Sequence, residues 1–283
     1  MPEIRNPAVA GRFYRGTKTG LTNQLEECFK HECGPGKIPE VQEGPRRMIG
    51  LISPHAGYPY SGPVAAHGFS KLAEDGKPDS VVIIGPNHSG VGPDVSVDSS
   101  DLWETPLGQI DLNKEIRERI LEESEVAELD SSSHLNEHSL EVQLPFLQYL
   151  FDEDFDIVPI CMKAQNAETS EDIGKAIQAA ANGEDILIIA STDLTHYEPQ
   201  QMAETKDRKA VEKIQDLNWK GLFETVSKEN MSVCGYGPVA SMMVASKGLG
   251  ASRTELYKYA TSGDTAGPTG QVVGYCSLGV LTE

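Results

Sequence analysis

The sequence predicts an α/β fold with a mostly parallel central sheet and helices on both faces. Three observations predict it. Residues 48–53, 81–85 and 186–190 are short runs that are apolar at nearly every position, as strands covered on both faces must be. Stretches with helical period separate them; in 169–181, Ile173, Ala176, Ile177 and Ala180 fall on one face. The first two runs also end in Pro/Gly turns, so strand, turn and helix alternate as in parallel sheets.

In order, the pattern predicts a helix over 20–32, a Gly/Pro-rich surface loop over 34–47, the strand 48–53, a helix over 62–74 and the strand 81–85. Helices over 114–123 and 139–150 precede a strand at 156–160. Then come the helix 169–181, the strand 186–190 and helices over 205–217 and 238–247. Last are strands at 255–259 and 271–281, predicted to pair antiparallel at a sheet edge. With no internal repeat, the 283 residues read as one domain, 1–283.

The chain is 39% hydrophobic and 24% charged, ordinary for a globular protein. Its 24 basic and 43 acidic residues leave a net charge of −19, with acidic clusters over 111–130 and in the turn 152–156. A field of that sign repels phosphate backbones and anionic lipid, which argues against nucleic-acid and membrane partners. No run approaches the length of a membrane span and the first residues lack a signal-peptide core, so a cytoplasmic location is expected. Five cysteines without a C-x-x-C pair exclude a disulfide framework and a Cys-rich zinc site.

The histidines carry the functional signal. His55 follows the strand 48–53, His88 follows 81–85, and His196 lies a few residues past 186–190. Ligands of open α/β sheets bind outside the carboxyl ends of the strands, so these imidazoles are predicted to converge at one rim, two of them on turns that fix the backbone. Cys234 sits in a glycine-flanked turn before a predicted helix, where a helix N-terminus would favour thiolate, the metal-binding or nucleophilic form. A buried structural cysteine is the competing assignment there. In 134–141, a helix would place His138 and Glu141 on one face with His134 a turn earlier, as residues lining or supporting a pocket. His31 and His67 are assigned to structure.

Six segments in order resemble the Memo family, whose microbial members are called AmmeMemoRadiSam system protein B. They are Arg5-Asn-Pro-Ala-Val-Ala-Gly-Arg-Phe-Tyr14, Pro54-His-Ala-Gly-Tyr-Pro-Tyr-Ser-Gly62, Gly85-Pro-Asn-His88, Glu137-His-Ser-Leu-Glu-Val-Gln-Leu-Pro-Phe146, Ser191-Thr-Asp-Leu-Thr-His196 and Cys234-Gly-Tyr-Gly-Pro238. That family is in turn similar to class III extradiol dioxygenases of the LigB type, which implies a LigB-like fold. The resemblance implies His55 and His88 as metal ligands, His196 as acid/base group, and Cys234 where those dioxygenases carry a glutamate. It implies Fe(II) first, with Cu or Zn as alternatives, because thiolate is a softer ligand than carboxylate.

The resulting expectation is a non-haem iron oxidoreductase with His196 oriented by Asp193 as proton shuttle. A zinc-dependent hydrolase using the same ligands is a second possibility. A non-catalytic adaptor is a third, binding a metal, small molecule or peptide in a cleft lined by Tyr58, Tyr60 and Tyr197, although no Arg cluster suited to phosphate accompanies them. The resemblance also implies a radical-SAM protein and an AMMECR1-like protein as partners.

Overall fold

The computed structural model describes residues 2–152, 155–181 and 183–283; the centre of the acidic turn 152–156 lies outside the described residues. In chain order the strands are β1 (Ile4–Arg5), β2 (Met48–Ser53), β3 (Ser80–Pro86), β4 (Val95–Val97), β5 (Leu102–Thr105), β6 (Gly108–Asp111), β7 (Ala127–Leu129), β8 (Asp156–Met162), β9 (Ile186–Ser191), β10 (His196–Glu198), β11 (Arg253–Thr261) and β12 (Val272–Leu281). The helices are α1 (Lys18–Lys30), α2 (Tyr58–Asp75), α3 (Lys114–Glu123), α4 (Leu144–Phe151), α5 (Ala167–Ala180), α6 (Gln200–Gln215), α7 (Trp219–Lys228), α8 (Tyr236–Gly248) and the single turn α9 (Ser262–Thr265).

Among the described residues the large sheet has the order β10-β12-β2-β9-β3-β8-β4-β7, with β11 also paired to β12. Its centre is parallel: β2 pairs with β9, β9 with β3, and β3 with β8. The flanks are antiparallel, β12 against β2 and β4 against β8, so the sheet is mixed around a parallel core. The two late strands do pair antiparallel with each other. They do so at an edge of the sheet: β11 is the outer strand, β12 lies between it and β2, and β10 meets β12 at Val272 and Val273 on the side away from β11, beyond the end of β2.

The period-2 geometry of a strand sends alternate residues to opposite faces. Val82 and Ile84 of β3 join Ile188 and Ala190 of β9 in a core completed by Ile173 and Ile177 of α5 and Met242 and Met243 of α8. Val81 and Ile83 join Leu187 and Ile189 on the other face, under Leu25 and Phe29 of α1 and Phe69 of α2. Burial of each such side chain stabilises by roughly 1.5–3 kcal/mol, which explains why the central strands carry apolar residues on both faces. Gly50 of β2 permits the close approach of α8: a Cβ there would lie 2.9 Å from Ser246 Oγ and closer still to the Met242 sulfur. Helix starts follow local capping chemistry, with Asn113 accepting from Ile116 N–H and Asn166 from Thr169 N–H.

Several elements differ from expectation. The stretch 134–138 is turn followed by irregular chain, and regular helix begins only after a 3₁₀ turn at Glu141–Gln143. Strands β1, β5 and β6 form a separate three-stranded sheet. With two to four residues each, they are too short to register a period. No helix among the described residues is long and apolar enough to cross a membrane.

Candidate metal centre

Strands β2, β9 and β3 lie side by side and parallel, so their carboxyl ends form one continuous rim. His55 leaves the end of β2 and His88 the end of β3. Between them, β9 delivers Ser191 and Asp193. Cys234 arrives from the other direction, on the turn joining α7 to α8. One donor atom each from His55, His88 and Cys234 lies within 4.8 Å of the other two. The two rings stand edge to face with centroids 5.3 Å apart.

Each donor has its own support. His55 Nδ1 lies 2.9 Å from Ser191 Oγ, which leaves Nε2 on the side of Cys234, 3.1 Å from its sulfur. His88 Nδ1 lies 2.9 Å from Oε1 of Glu137, and the His88 backbone N–H donates to Oε2 at 2.7 Å. The Cys234 sulfur accepts the Asp193 backbone N–H at 3.1 Å. Gln165 clamps the Cys234 turn, donating to the Cys234 carbonyl at 2.8 Å and accepting from Gly237 N–H at 2.9 Å. Gly235 is required by space: a Cβ there would lie 2.7 Å from Thr192 Cβ and would collide with the Ser191 carbonyl.

Burial sets the protonation states. His55 is fully enclosed, and desolvation, followed by the neighbouring imidazoles of His138, His88 and His196, holds its pKa well below the ordinary histidine value. Burial likewise lowers His138, to about 4, against the opposing charge of Glu137. For Glu137, burial alone would favour the neutral acid, but the bonds from His88 and Ser139 and the charge of His138 outweigh it and bring the carboxyl down to about 2. Asp193 shows the opposite balance; burial outweighs its bonds from the His55 and Ala56 backbone and raises it to about 6. Burial, with the Asp193 charge second, also pushes the Cys234 thiol up, so the lowering expected from its helix-start position does not prevail.

The donor set fits a metal ion. Two imidazoles with their outer nitrogens already engaged and a thiol that receives a backbone N–H are the arrangement in which ring orientation is fixed before an ion arrives. His88, Glu137 and His138 also lie within 4.8 Å of one another. There the carboxylate is already occupied: besides its two bonds from His88, Oε1 accepts the backbone N–H groups of His138 and Ser139 at 2.9 Å. Glu137 therefore serves His88, and the sequence offered no signal for it beyond its place in the Glu137–Phe146 segment.

The remaining expected site residues are distributed as follows. His196 lies outside the three-donor group at the start of β10, where its Nδ1 is 2.9 Å from the Ser232 carbonyl and its N–H donates to Ser232 Oγ at 2.7 Å. Asp193 was expected to orient His196; its Oδ1 instead accepts the His55 backbone N–H at 2.8 Å. His138 does line the cluster, its ring stacked on His88 at 4.5 Å and tilted against Phe13 at 4.6 Å. Glu141 does not share that face. Its carboxylate is buried against Arg5 and Tyr14 and accepts the N–H groups of Ala8 and Val9. Tyr58 is likewise a core residue, its hydroxyl donating to the Val142 carbonyl at 2.7 Å. Tyr197 is exposed, in a left-handed conformation with φ 59° that an aromatic residue rarely adopts.

The Memo-like protein family profile matches residues 5–279. The chain is 48% identical over 276 residues to a MEMO1 family protein of Methanopyrus kandleri, covering 97% of this chain and 98% of that one. To a MEMO1 family protein of Methanothermobacter thermautotrophicus it is 48% identical over 277 residues, covering 97% and 99%. A Saccharolobus solfataricus member of the same name is 46% identical over 276 residues, covering 96% and 97%. The solved structure of an uncharacterized protein from Escherichia coli K12 superposes with a TM-score of 0.55 at 15% identity, covering 82% of this chain and 99% of that one. At that identity the likeness is one of fold alone.

Proposed function

The chain belongs to the Memo-like family, and from that premise we propose that the cluster of His55, His88 and Cys234 is a metal centre, holding Fe(II), that serves an oxidoreductase reaction. The observation that supports this is the convergence of the three donor atoms within 4.8 Å, each on a separate element and each already braced by a partner. Bound iron would supply Lewis acidity and one-electron chemistry at this rim. The protein's own contribution is orientation and proton handling. Ser191 and Glu137 hold the two rings, and Asp193 holds the turn that carries His55. His196 is the proposed acid/base group; with Nδ1 turned to the Ser232 carbonyl, Nε2 is the atom free to take or give a proton.

The test is elemental analysis of protein purified anaerobically without added metal, followed by oxygen uptake with a panel of phenolic substrates. Stoichiometric iron together with oxygen consumption supports the proposal; stoichiometric iron without turnover leaves a metal centre and removes the oxidoreductase. The thiol donor favours a second reading, a zinc-dependent hydrolase, since two imidazoles and a thiolate also suit catalytic zinc. Stoichiometric zinc with no oxygen uptake would select it. No bound or bindable metal of any kind would overturn both.

A further inference from the structure

We propose that Gln143 and Ser191 are positioning residues that fix the tautomer of His55, so that its Nε2 lone pair faces the centre. The proposal rests on the metal-centre reading for its purpose, but its chemistry is a count of hydrogens in a dry network. Ser191 is fully buried, and Gln143 and His55 are 1% and 2% exposed, so water does not compete for their polar atoms.

A serine hydroxyl has one hydrogen and two lone pairs. Ser191 Oγ lies 2.6 Å from the Ser139 carbonyl, which can only accept, so the hydroxyl hydrogen is spent there. Gln143 Nε2 lies 2.9 Å from the same Oγ. The amide orientation is fixed by two more neighbours, the Pro54 carbonyl at 3.1 Å and the Ser139 carbonyl at 3.5 Å; the flipped amide would set oxygen against oxygen twice. The amide has two hydrogens, and its two nearer acceptors are Ser191 Oγ and the Pro54 carbonyl, so Gln143 donates to Ser191 and occupies one lone pair. The lone pair that remains is open to His55 Nδ1 at 2.9 Å, and only a protonated Nδ1 satisfies it. The neutral ring then carries its lone pair on Nε2, the nitrogen 3.1 Å from the Cys234 sulfur.

Gln143 acts on His55 a second time through Pro54, the residue before it, whose carbonyl it ties down. The arrangement has a cost: Gln143 Oε1 is buried without a partner among the described residues. An apolar side chain would avoid that cost, which points to a use for the amide beyond packing.

The test uses the full chain, metal-free and Zn(II)-loaded, with Zn(II) as a diamagnetic probe. Long-range ¹⁵N–¹H correlation spectra at pH 8, assigned with His55→Asn, read the tautomer directly. In wild type the Nδ1–H form is expected. Ser191→Ala and Gln143→Met should each raise the Nε2–H population and weaken Zn(II) binding by about 10–100-fold, while the thermal midpoint and far-UV circular dichroism show that the fold persists. Should Gln143→Met fail to fold, Ser191→Ala carries the test. A wild-type ring in the Nε2–H form, or variants that keep both the wild-type tautomer and the wild-type affinity, would overturn the proposal. A wild type that shows the expected tautomer, lost in the variants, yet binds no Zn(II), supports the positioning assignment and counts separately against the metal centre.

Discussion

Glu137 holds His88 twice, through the ring Nδ1 at 2.9 Å and through the backbone N–H at 2.7 Å, with one oxygen for each. The carboxylate therefore fixes both the ring and the turn from which it projects. Glu137→Gln keeps the shape and removes the charge that favours a basic, correctly oriented imidazole. Metal affinity should fall by about 10–100-fold, read by competition with a chromophoric chelator. Unchanged affinity would show that the carboxylate is merely structural.

Cys234 is the proposed donor most easily distinguished by spectroscopy. The Co(II)-substituted protein should show a thiolate-to-metal charge-transfer band, and Cys234→Ala should abolish it while the fold survives. Gly235→Ala should weaken the band without touching any donor, since its added Cβ collides with the Ser191 carbonyl and displaces the turn. A Cys234→Ala protein with an undiminished band would remove Cys234 from the ligand set.

Metal binding should also release a proton. Burial keeps Cys234 as a thiol in the metal-free protein, whereas the ligand form is thiolate. Zn(II) calorimetry near pH 7.5 in two buffers of different ionisation enthalpy should give close to one proton released per ion, and affinity should fall as pH falls. No proton release would mean either that the thiol is already ionised or that it is not a ligand.

The N-terminal segment is anchored by the buried Arg5–Glu141 ion pair, whose two side chains are 1% and 0% exposed. Removing one partner strands the other charge in the interior. Glu141→Gln should destabilise the protein by about 3–5 kcal/mol, measured as a shift in urea unfolding. A loss below about 1 kcal/mol would show that Arg5 is solvated or otherwise paired in the variant and not stranded.

His134 gives a pH signature away from the centre. Burial is the largest influence on it and lowers its pKa, against the charges of Asp98 and Asp130. The folded state thus keeps His134 neutral where the unfolded chain, with a value near 6.5, takes up a proton. Its contribution is full above about pH 6.5 and is lost as pH falls from there through the lowered folded value. His134→Gln should flatten the decline in unfolding free energy between pH 7 and pH 5 relative to wild type. Equal slopes in the two proteins would exclude that assignment.

The parallel core of the sheet and the chain segments that carry the proposed donors can be read from the residues alone. The strands 48–53, 81–85 and 186–190 were legible because strands buried on both faces must be apolar throughout. His55, His88 and Cys234 stood out because they follow such strands or precede a helix, and the resemblance to the Memo family singled them out as ligands. The partner of each group, by contrast, depends on how the elements pack. A helix over 134–141 would set His134, His138 and Glu141 on one face, yet Glu141 turns to Arg5, Glu137 to His88 and, just beyond that stretch, Gln143 to Ser191, three contacts across 48 to 136 residues of chain. A buried carboxylate or amide takes whichever donor the packed core presents to it, and sequence spacing carries no record of that choice. For the same reason Asp193, expected to orient His196, accepts the His55 backbone N–H that adjacent parallel strands bring alongside it.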